Sequence, residues 1–362
     1  MTKINTLEAI LLISLIAVTH TILSLPQNII ENQKSASILN LLFVGFLALL
    51  ISYFIYTLFK KFPGLDIIDI SEIVGGKTFK NIVGIIFVSY FIITSSILLR
   101  NFCETLKIVY YPMTNILFIL LLFIIAICFT NKFSLTTIVK TNSLIVPIAL
   151  FSIIFLFFAN TKNFIPNNIF PILGNGFTNT FILGLSNLSA FGGIVFIYFL
   201  PPLLDKPENL KKVSMISICV ITICLILSIS TLLFMFSLFE TNHKISPLYS
   251  AARYIEFGKF FQRLESIFLF IWIMLFTCYL SIISNFSINI LKKLLNLESP
   301  KQLSNIIGLL IFGIALIPKN YAVSSKFENT YYPFLVLTLV FALSIGILIL
   351  GNIKKRKELK HE

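Results

Sequence analysis

The stretch Leu7-Glu-Ala-Ile-Leu-Leu-Ile-Ser-Leu-Ile-Ala-Val-Thr-His-Thr-Ile-Leu-Ser-Leu25, closed by Pro26, is the first of ten apolar runs in the chain. At 1.5 Å of rise per residue, a helix of roughly 20 such residues crosses a ~30 Å hydrocarbon core. The sixth run has the same plan. It reads Phe181-Ile-Leu-Gly-Leu-Ser-Asn-Leu-Ser-Ala-Phe-Gly-Gly-Ile-Val-Phe-Ile-Tyr-Phe-Leu200 and is closed by Pro201-Pro202. Each carries polar residues or glycines one to two turns before its closing Leu-Pro. In the first these are Thr19, His20, Thr21 and Ser24; in the sixth they are Ser186, Asn187, Ser189 and the pair Gly192-Gly193. An inert membrane anchor needs none of them.

The other runs cover residues 38–59, 82–99, 113–130, 143–159, 213–239, 267–291, 303–317 and 332–353, the fifth with Pro147 inside it. Of the 362 residues 57% are apolar and only 12% charged, about half the charge that a soluble surface requires. The composition excludes a soluble globular fold, a disordered chain, a secreted disulfide scaffold and a nucleic-acid binder. The formal charge of +13 is therefore read against a bilayer, where basic residues collect in cytoplasmic loops. With ten spans and the N-terminus inside, 18 Lys and Arg fall on the cytoplasmic side and ten on the other. Both termini are expected in the cytoplasm, with the basic tail 354–362 as a stop-and-anchor cluster. The N-terminal run lacks a small-x-small site and is read as a span, not a cleavable signal peptide. The five cysteines form no CxxC pair and accompany no His cluster, so they are read as small apolar fillers.

The first and sixth runs each open a five-span half, 1–160 and 170–353. Matched interruptions in two halves are the sequence pointer to a midplane site in an inverted-repeat fold. The reading is thus an all-α integral membrane protein, a single polytopic domain over 1–362 of about ten transmembrane helices. These form two inverted five-helix repeats with helices one and six broken. Gly192-Gly193 has a second reading, close packing of two helices. His20 is the only ionisable side chain well inside an apolar run, with Glu8 near the start of the first. It reads either as a group titrating near neutral pH or as a hydrogen-bonded structural histidine. Coupling to protons through a buried carboxylate is not expected. A site with few charged side chains suits a zwitterion held by helix ends.

The loop between the seventh and eighth runs is patterned. Ser246-Pro247 predicts a helix start, Gly258 a stop, and a second segment from Phe260 to Glu265 leads into the eighth run. An amphipathic cap over the bundle is expected, with Arg253, Arg263 and Glu265 either ion-paired or solvated.

The stretch Ser246-Pro-Leu-Tyr-Ser-Ala-Ala-Arg-Tyr-Ile-Glu-Phe-Gly-Lys-Phe-Phe-Gln-Arg-Leu-Glu265, followed by Trp272, resembles the B subunits of nutrient germinant receptors of endospore-forming bacteria, also called spore germination permeases. Ser24-Leu-Pro26, Arg100 with Glu104, Phe170-Pro-Ile-Leu173 with Gly176, Phe191-Gly-Gly193 and Leu200-Pro201 fit as well. The resemblance implies a LeuT-like fold of the amino acid–polyamine–organocation superfamily. It implies a sensor that binds a small nutrient, such as an amino acid, in the spore inner membrane. Acting with an A subunit and a lipoprotein C subunit, that sensor triggers ion release and germination. Carried onto this chain, it offers Thr19, His20, Tyr90, Gly192, Gly193, Tyr279 and Ser281 as ligand contacts, and Arg253, Arg263 and Glu265 as loop residues acting in gating. Thr19-His20 stands where relatives have small residues, and Tyr279 where a basic residue is frequent.

The alternative is a stand-alone, ion-coupled amino acid transporter. No nucleophile with a base, metal cluster or phosphate loop points to catalysis, a cofactor or a metal. Filling Gly193 with leucine is expected to abolish the ligand response and leave assembly intact.

Overall fold

Asn5 opens the first helix, α1 (Thr6–Ile22), through a reciprocal cap: its side chain accepts from Glu8 N–H at 2.9 Å and its own N–H donates to the Glu8 carboxylate at 2.8 Å. This satisfies two of the amides that a helix start leaves without partners. Every residue from Ala9 to Ile22 is buried, so α1 has no lipid face and is the axis of the bundle. The computed structural model describes residues 3–255, 264–297 and 301–361.

Around α1 stand α2 (Leu25–Gln33), α3 (Ser37–Phe59), α4 (Ile67–Val109), α5 (Ile116–Thr130) and α6 (Leu135–Ala159). After a π turn, Thr178–Ile182, comes a tightly wound 310 segment, Leu183–Tyr198. The chain continues through α7 (Leu210–Met235), α8 (Leu238–His243), α9 (Pro247–Arg253), α10 (Glu265–Leu295), α11 (Lys301–Ala315), α12 (Tyr321–Leu335), a π stretch (Val336–Leu343) and α13 (Ser344–His361). The described residues form no sheet, only one isolated bridge between Ile4 and Leu204. Among the described residues, seven helical stretches are by length and composition able to cross a membrane, and three shorter apolar helices, Thr6–Ile22, Ile116–Thr130 and Leu303–Ala315, lie on the remaining apolar runs. The molecule is a multi-pass, all-helical membrane protein.

The first and sixth runs are interrupted, and α4 is kinked as well, where Gly75 (φ −133°, ψ 15°) and Gly76 (φ 72°, ψ −170°) leave helical geometry. α1 stops at Ile22, where Leu23 turns to φ −83°, ψ −127° before α2 begins. Pro26 is the cause: it has no N–H to give the Ile22 carbonyl, and its ring crowds that same carbonyl. In the sixth run the whole segment Leu183–Tyr198 is wound as a 310 helix, and Phe191 (φ −91°, ψ 23°) falls out of helical geometry just before Gly192. A 310 run of that length is uncommon because its hydrogen bonds are poorer. Asn40 of α3 supports it, donating to the Thr180 carbonyl at 2.7 Å and to Gly184 at 3.2 Å, while Asn187 returns a bond to Asn40 at 2.7 Å. The two interrupted helices are tied at one end: Ile4 N–H bonds the Leu203 carbonyl and Asp205 N–H bonds Ile4, each at 3.0 Å.

Three boundaries differ from the sequence expectation. Arg100 ends the third apolar run but not the helix, because α4 continues to Val109. Arg100 pairs with Glu104 at 2.8 Å and donates to the carbonyls of Ala315 and Lys319 beyond α11, at 3.4 and 3.3 Å. A cation at a helix C-terminus is favourable, and the pair neutralises itself. α6 begins at Leu135, one cap residue after Ser134, well before the fifth apolar run. The last helix begins at Tyr321, eleven residues before the tenth run, and this carries Glu328 into the bundle. In the loop, α9 starts at Pro247 as expected, but Ser246 makes no side-chain cap. Gly258 and most of the second segment, including Arg263, lie outside the described residues.

At the end of α4 remote from Arg100, Lys293 of α10 bonds both Asp66 and Asp69, each at 2.7 Å. Asp66 also caps α4 through Ile68 and Asp69 N–H. Replacing Lys293 by methionine leaves two half-buried carboxylates facing each other. It is expected to destabilise the purified protein by about 2 kcal/mol, with partial recovery on adding Asp69→Asn, read as thermal midpoints in detergent. A second pair of substitutions tests the packing. A Cβ on Gly193 runs into the Ile13 backbone carbonyl, which cannot move aside, whereas one on Gly313 meets nothing within 4 Å. Gly193→Ala is therefore expected to lose folded protein, so Gly193→Leu cannot spare assembly. Gly313→Ala should be neutral or stabilising by up to about 1 kcal/mol, measured as monodisperse yield.

Candidate functional site

A cluster of buried polar groups lies just before the α1 break. His20, in the last turn of α1, is 2% exposed, and its Nδ1 lies 3.7 Å from a carboxylate oxygen of Glu328 in α12, itself 5% exposed. Asn101 of α4 donates its amide to the other Glu328 oxygen. Ser24, inside the break, sits beside the same carboxylate, yet its hydroxyl makes no hydrogen bond of good geometry. Two more atoms here are buried without partners, His20 Nε2 and Asn101 Oδ1. Buried polar groups nearly always find a partner, so three atoms without a well-formed bond around one carboxylate make this cluster the candidate site.

Aromatic rings enclose the imidazole. Tyr332 stacks on His20 at 4.7 Å between centroids, and Tyr279 of α10 meets its edge at 6.1 Å. Tyr90 of α4 approaches the Tyr332 hydroxyl. Gly192 supplies the remaining wall: a side chain there would begin 2.7 Å from the Tyr332 hydroxyl. The positions named from the sequence thus divide. His20, Tyr90, Tyr279 and Gly192 come together. Gly193 packs against Ile13 of α1, and the Thr19 hydroxyl bonds its own helix at the Leu15 carbonyl, 2.8 Å away. Ser281 is occupied with Thr130 of α5 and the Thr277 carbonyl, both at 2.7 Å.

Beside the break, on the side carrying α9, opens a small cleft. It is walled by Leu23, Phe102, Leu106, Tyr110, Tyr249 and Trp272, among others, and has room for about one water. Trp272 Nε1 is buried in that region without a hydrogen-bond partner, and the Tyr110 hydroxyl lies beside Tyr249. Tyr110 and Tyr249 meet edge to face at 5.4 Å. Tyr110 links the cleft to the loop charges: burial pushes its phenol above the usual tyrosine range, with Tyr249 and Glu265 adding to the shift and Arg253 opposing it. Arg253 at the end of α9 and Glu265 at the start of α10 therefore act on the same phenol. Glu265 has interactions of its own.

Sequence reading missed Glu328, Asn101 and Tyr332 as members of this cluster. The absence of a buried carboxylate was inferred from a tenth run starting at Tyr332, and Glu328 corrects it. A signal was present: Ser324, Glu328, Tyr332, Val336 and Val340, four residues apart, are all buried. They form one continuous inward stripe that crosses from polar to apolar sequence.

The sequence matches a family described as "Spore germination protein" over residues 3–323. Spore germination protein A2 of Bacillus subtilis (strain 168) is 25% identical, with 87% of each chain aligned. Spore germination protein YndE of the same organism is 24% identical over 98% of each. Spore germination protein B2 is 21% identical over 75% of this chain and 74% of its own. With most of its length, and the whole cluster except Glu328 and Tyr332, inside the matched region, the chain belongs to the spore germination protein family of multi-pass membrane proteins.

Proposed function

We propose that this chain is the ligand-sensing membrane subunit of a spore germinant receptor and that the cluster at the α1 break is its nutrient site. The observation that carries this reading is the trio of orphaned atoms, His20 Nε2, Ser24 Oγ and Asn101 Oδ1, gathered around the Glu328 carboxylate beside an interrupted helix. An α-amino acid supplies what they lack. Its ammonium group matches the Glu328 carboxylate, Asn101 Oδ1 and the Ile22 carbonyl that Pro26 leaves without its helical donor. Its carboxylate can accept from Ser24 and from His20 when Nε2 carries the proton. Its side chain is directed to the cleft by Phe102, Leu106 and Trp272. That cleft holds only about one water as it stands, so binding requires the helix walls to part, and this motion is the signal in a sensor.

In this reading the ten runs form two inverted five-helix repeats of the LeuT-like kind, with both termini cytoplasmic and the protein in the spore inner membrane. Its partners are an A subunit and a lipoprotein C subunit, which convert the motion into ion release. The titratable pair His20–Glu328 supports a second reading, an ion-coupled amino acid transporter that works alone. Proteoliposomes holding only this chain separate the two: accumulation of labelled amino acid against a gradient sinks the sensor reading.

Two substitutions test the site in spores that rely on this receptor, exposed to a panel of single amino acids. Asn101→Leu removes the amide that holds Glu328, and Gly192→Ala presses on the Tyr332 hydroxyl. Each is expected to raise the half-maximal nutrient concentration about tenfold, equivalent to ~1.4 kcal/mol, with membrane levels of the protein unchanged. Unaltered sensitivity in both variants removes the site from this cluster.

A further inference from the structure

We propose that His20 and Glu328 form a proton-binding site in which one proton is shared between the imidazole of α1 and the carboxyl of α12. The geometry defines the site. The two groups face each other at 3.7 Å, both nearly inaccessible to solvent, with Asn101 on the second carboxylate oxygen. Among the described ion pairs, no Lys or Arg meets Glu328. The other groups facing the pair are phenols, Tyr90 from α4, Tyr279 from α10, and Tyr332 and Tyr321 from α12. Arg100 and Glu104, next along α4, are bonded to each other at 2.8 Å.

The charge states then order themselves. With no proton the pair leaves a bare carboxylate in the bundle, and with two it leaves a bare imidazolium. With one proton it is neutral overall, as an imidazolium–carboxylate pair or as imidazole with carboxylic acid. A net charge far from water is costly and the neutral arrangement is not, so the folded site keeps one proton. In the unfolded chain the same residues are ordinary, titrating near pH 6.5 and 4.3. Above about pH 6.5 the folded pair thus binds one proton more than the unfolded pair, and stability must fall as pH rises. Below about pH 4.3 the unfolded chain binds the extra proton, and the slope reverses. The site lies one turn before the α1 break, so the proton sets whether that end of α1 meets α12 as a neutral partner or faces an uncompensated charge.

The nutrient reading can fail without touching this proposal, because the test uses no nutrient. The full chain in lipid nanodiscs, with 15N-labelled histidine, is followed from about pH 5 to about pH 8, the window around the free His value. The chain has three histidines, His20, His243 and His361, so the His20 signal is assigned by its loss in His20→Gln. Nitrogen shifts report imidazolium, and the infrared carboxylic C=O stretch reports protonated Glu328. One of the two signals should persist across the window and vanish in Glu328→Gln. The thermal midpoint should fall from about pH 7 upward, the folding constant losing up to tenfold per pH unit. Glu328→Gln should flatten that slope, whereas His20→Gln leaves a lone buried carboxyl that keeps its proton and should extend the fall towards about pH 4.3. The proposal is overturned if His20 titrates with an ordinary midpoint while no protonated carboxyl is seen at pH 7, or if the slope survives in Glu328→Gln.

Discussion

A peptide group in the middle of a bilayer has no water to bond, so every interruption of a membrane helix must be answered by protein or by a ligand. This constraint organises the molecule. The break after Ile22 is answered in part by α2, where Asn28 N–H returns to the Ser24 carbonyl at 2.9 Å, and by the bond from Leu23 N–H to His20 at 3.1 Å. The loosened carbonyls around the π turn of the sixth run are answered by Asn40. The π stretch of the last helix is met by Tyr198, whose hydroxyl donates to the Val340 carbonyl at 2.8 Å, and by Ser344, which donates to Leu339 at 2.8 Å. Beside the break, Ser24 Oγ, His20 Nε2 and Asn101 Oδ1 make no hydrogen bond of good geometry.

The sequence made the helices and their interruptions legible because hydropathy and proline act locally. Ten apolar runs correspond to ten helical stretches, and Pro26 places the α1 break to within three residues. Its power ended where burial stops following hydropathy. Glu328 lies in a stretch too polar to read as a span, yet the i+4 stripe through Tyr332 turns it inward. Arg100 reads as a stop, but as one half of a closed ion pair reaching the end of α11 it can sit inside a helix. Of the three loop charges read from the sequence, Arg253 and Glu265 fall among the described residues, and both lie near Tyr110.

The adjacent glycines of the sixth run show why residue type alone could not assign the site. Both readings of Gly192-Gly193, ligand space and close packing, rest on the same missing side chain. In the structure both glycines admit close packing: Gly193 admits the Ile13 carbonyl of α1, while Gly192 admits the end of Tyr332. The first contact is backbone and holds the two interrupted helices together. The second is a phenol that also stacks on His20, so a shift there is transmitted into the polar cluster.

These contacts also divide the bundle by rigidity. α4 is held beside the cluster by charge, through Arg100 to the end of α11, while Lys293 of α10 binds the short stretch ahead of the Gly75-Gly76 kink. Next to the Arg100 anchor it presents Asn101, and further back along the same helix Tyr90, to the cluster. The last turn of α1 has no comparable tether: it ends in the break, and at this level it meets α12 through the His20 ring and the Glu328 carboxylate. Ion pairs with spare hydrogen bonds resist displacement more than a stacked ring and a single 3.7 Å approach. Motion that begins at the cluster should therefore move the end of α1 relative to a fixed α4. α9, whose Tyr249 lines the same cleft beside Ser246, is placed to follow it.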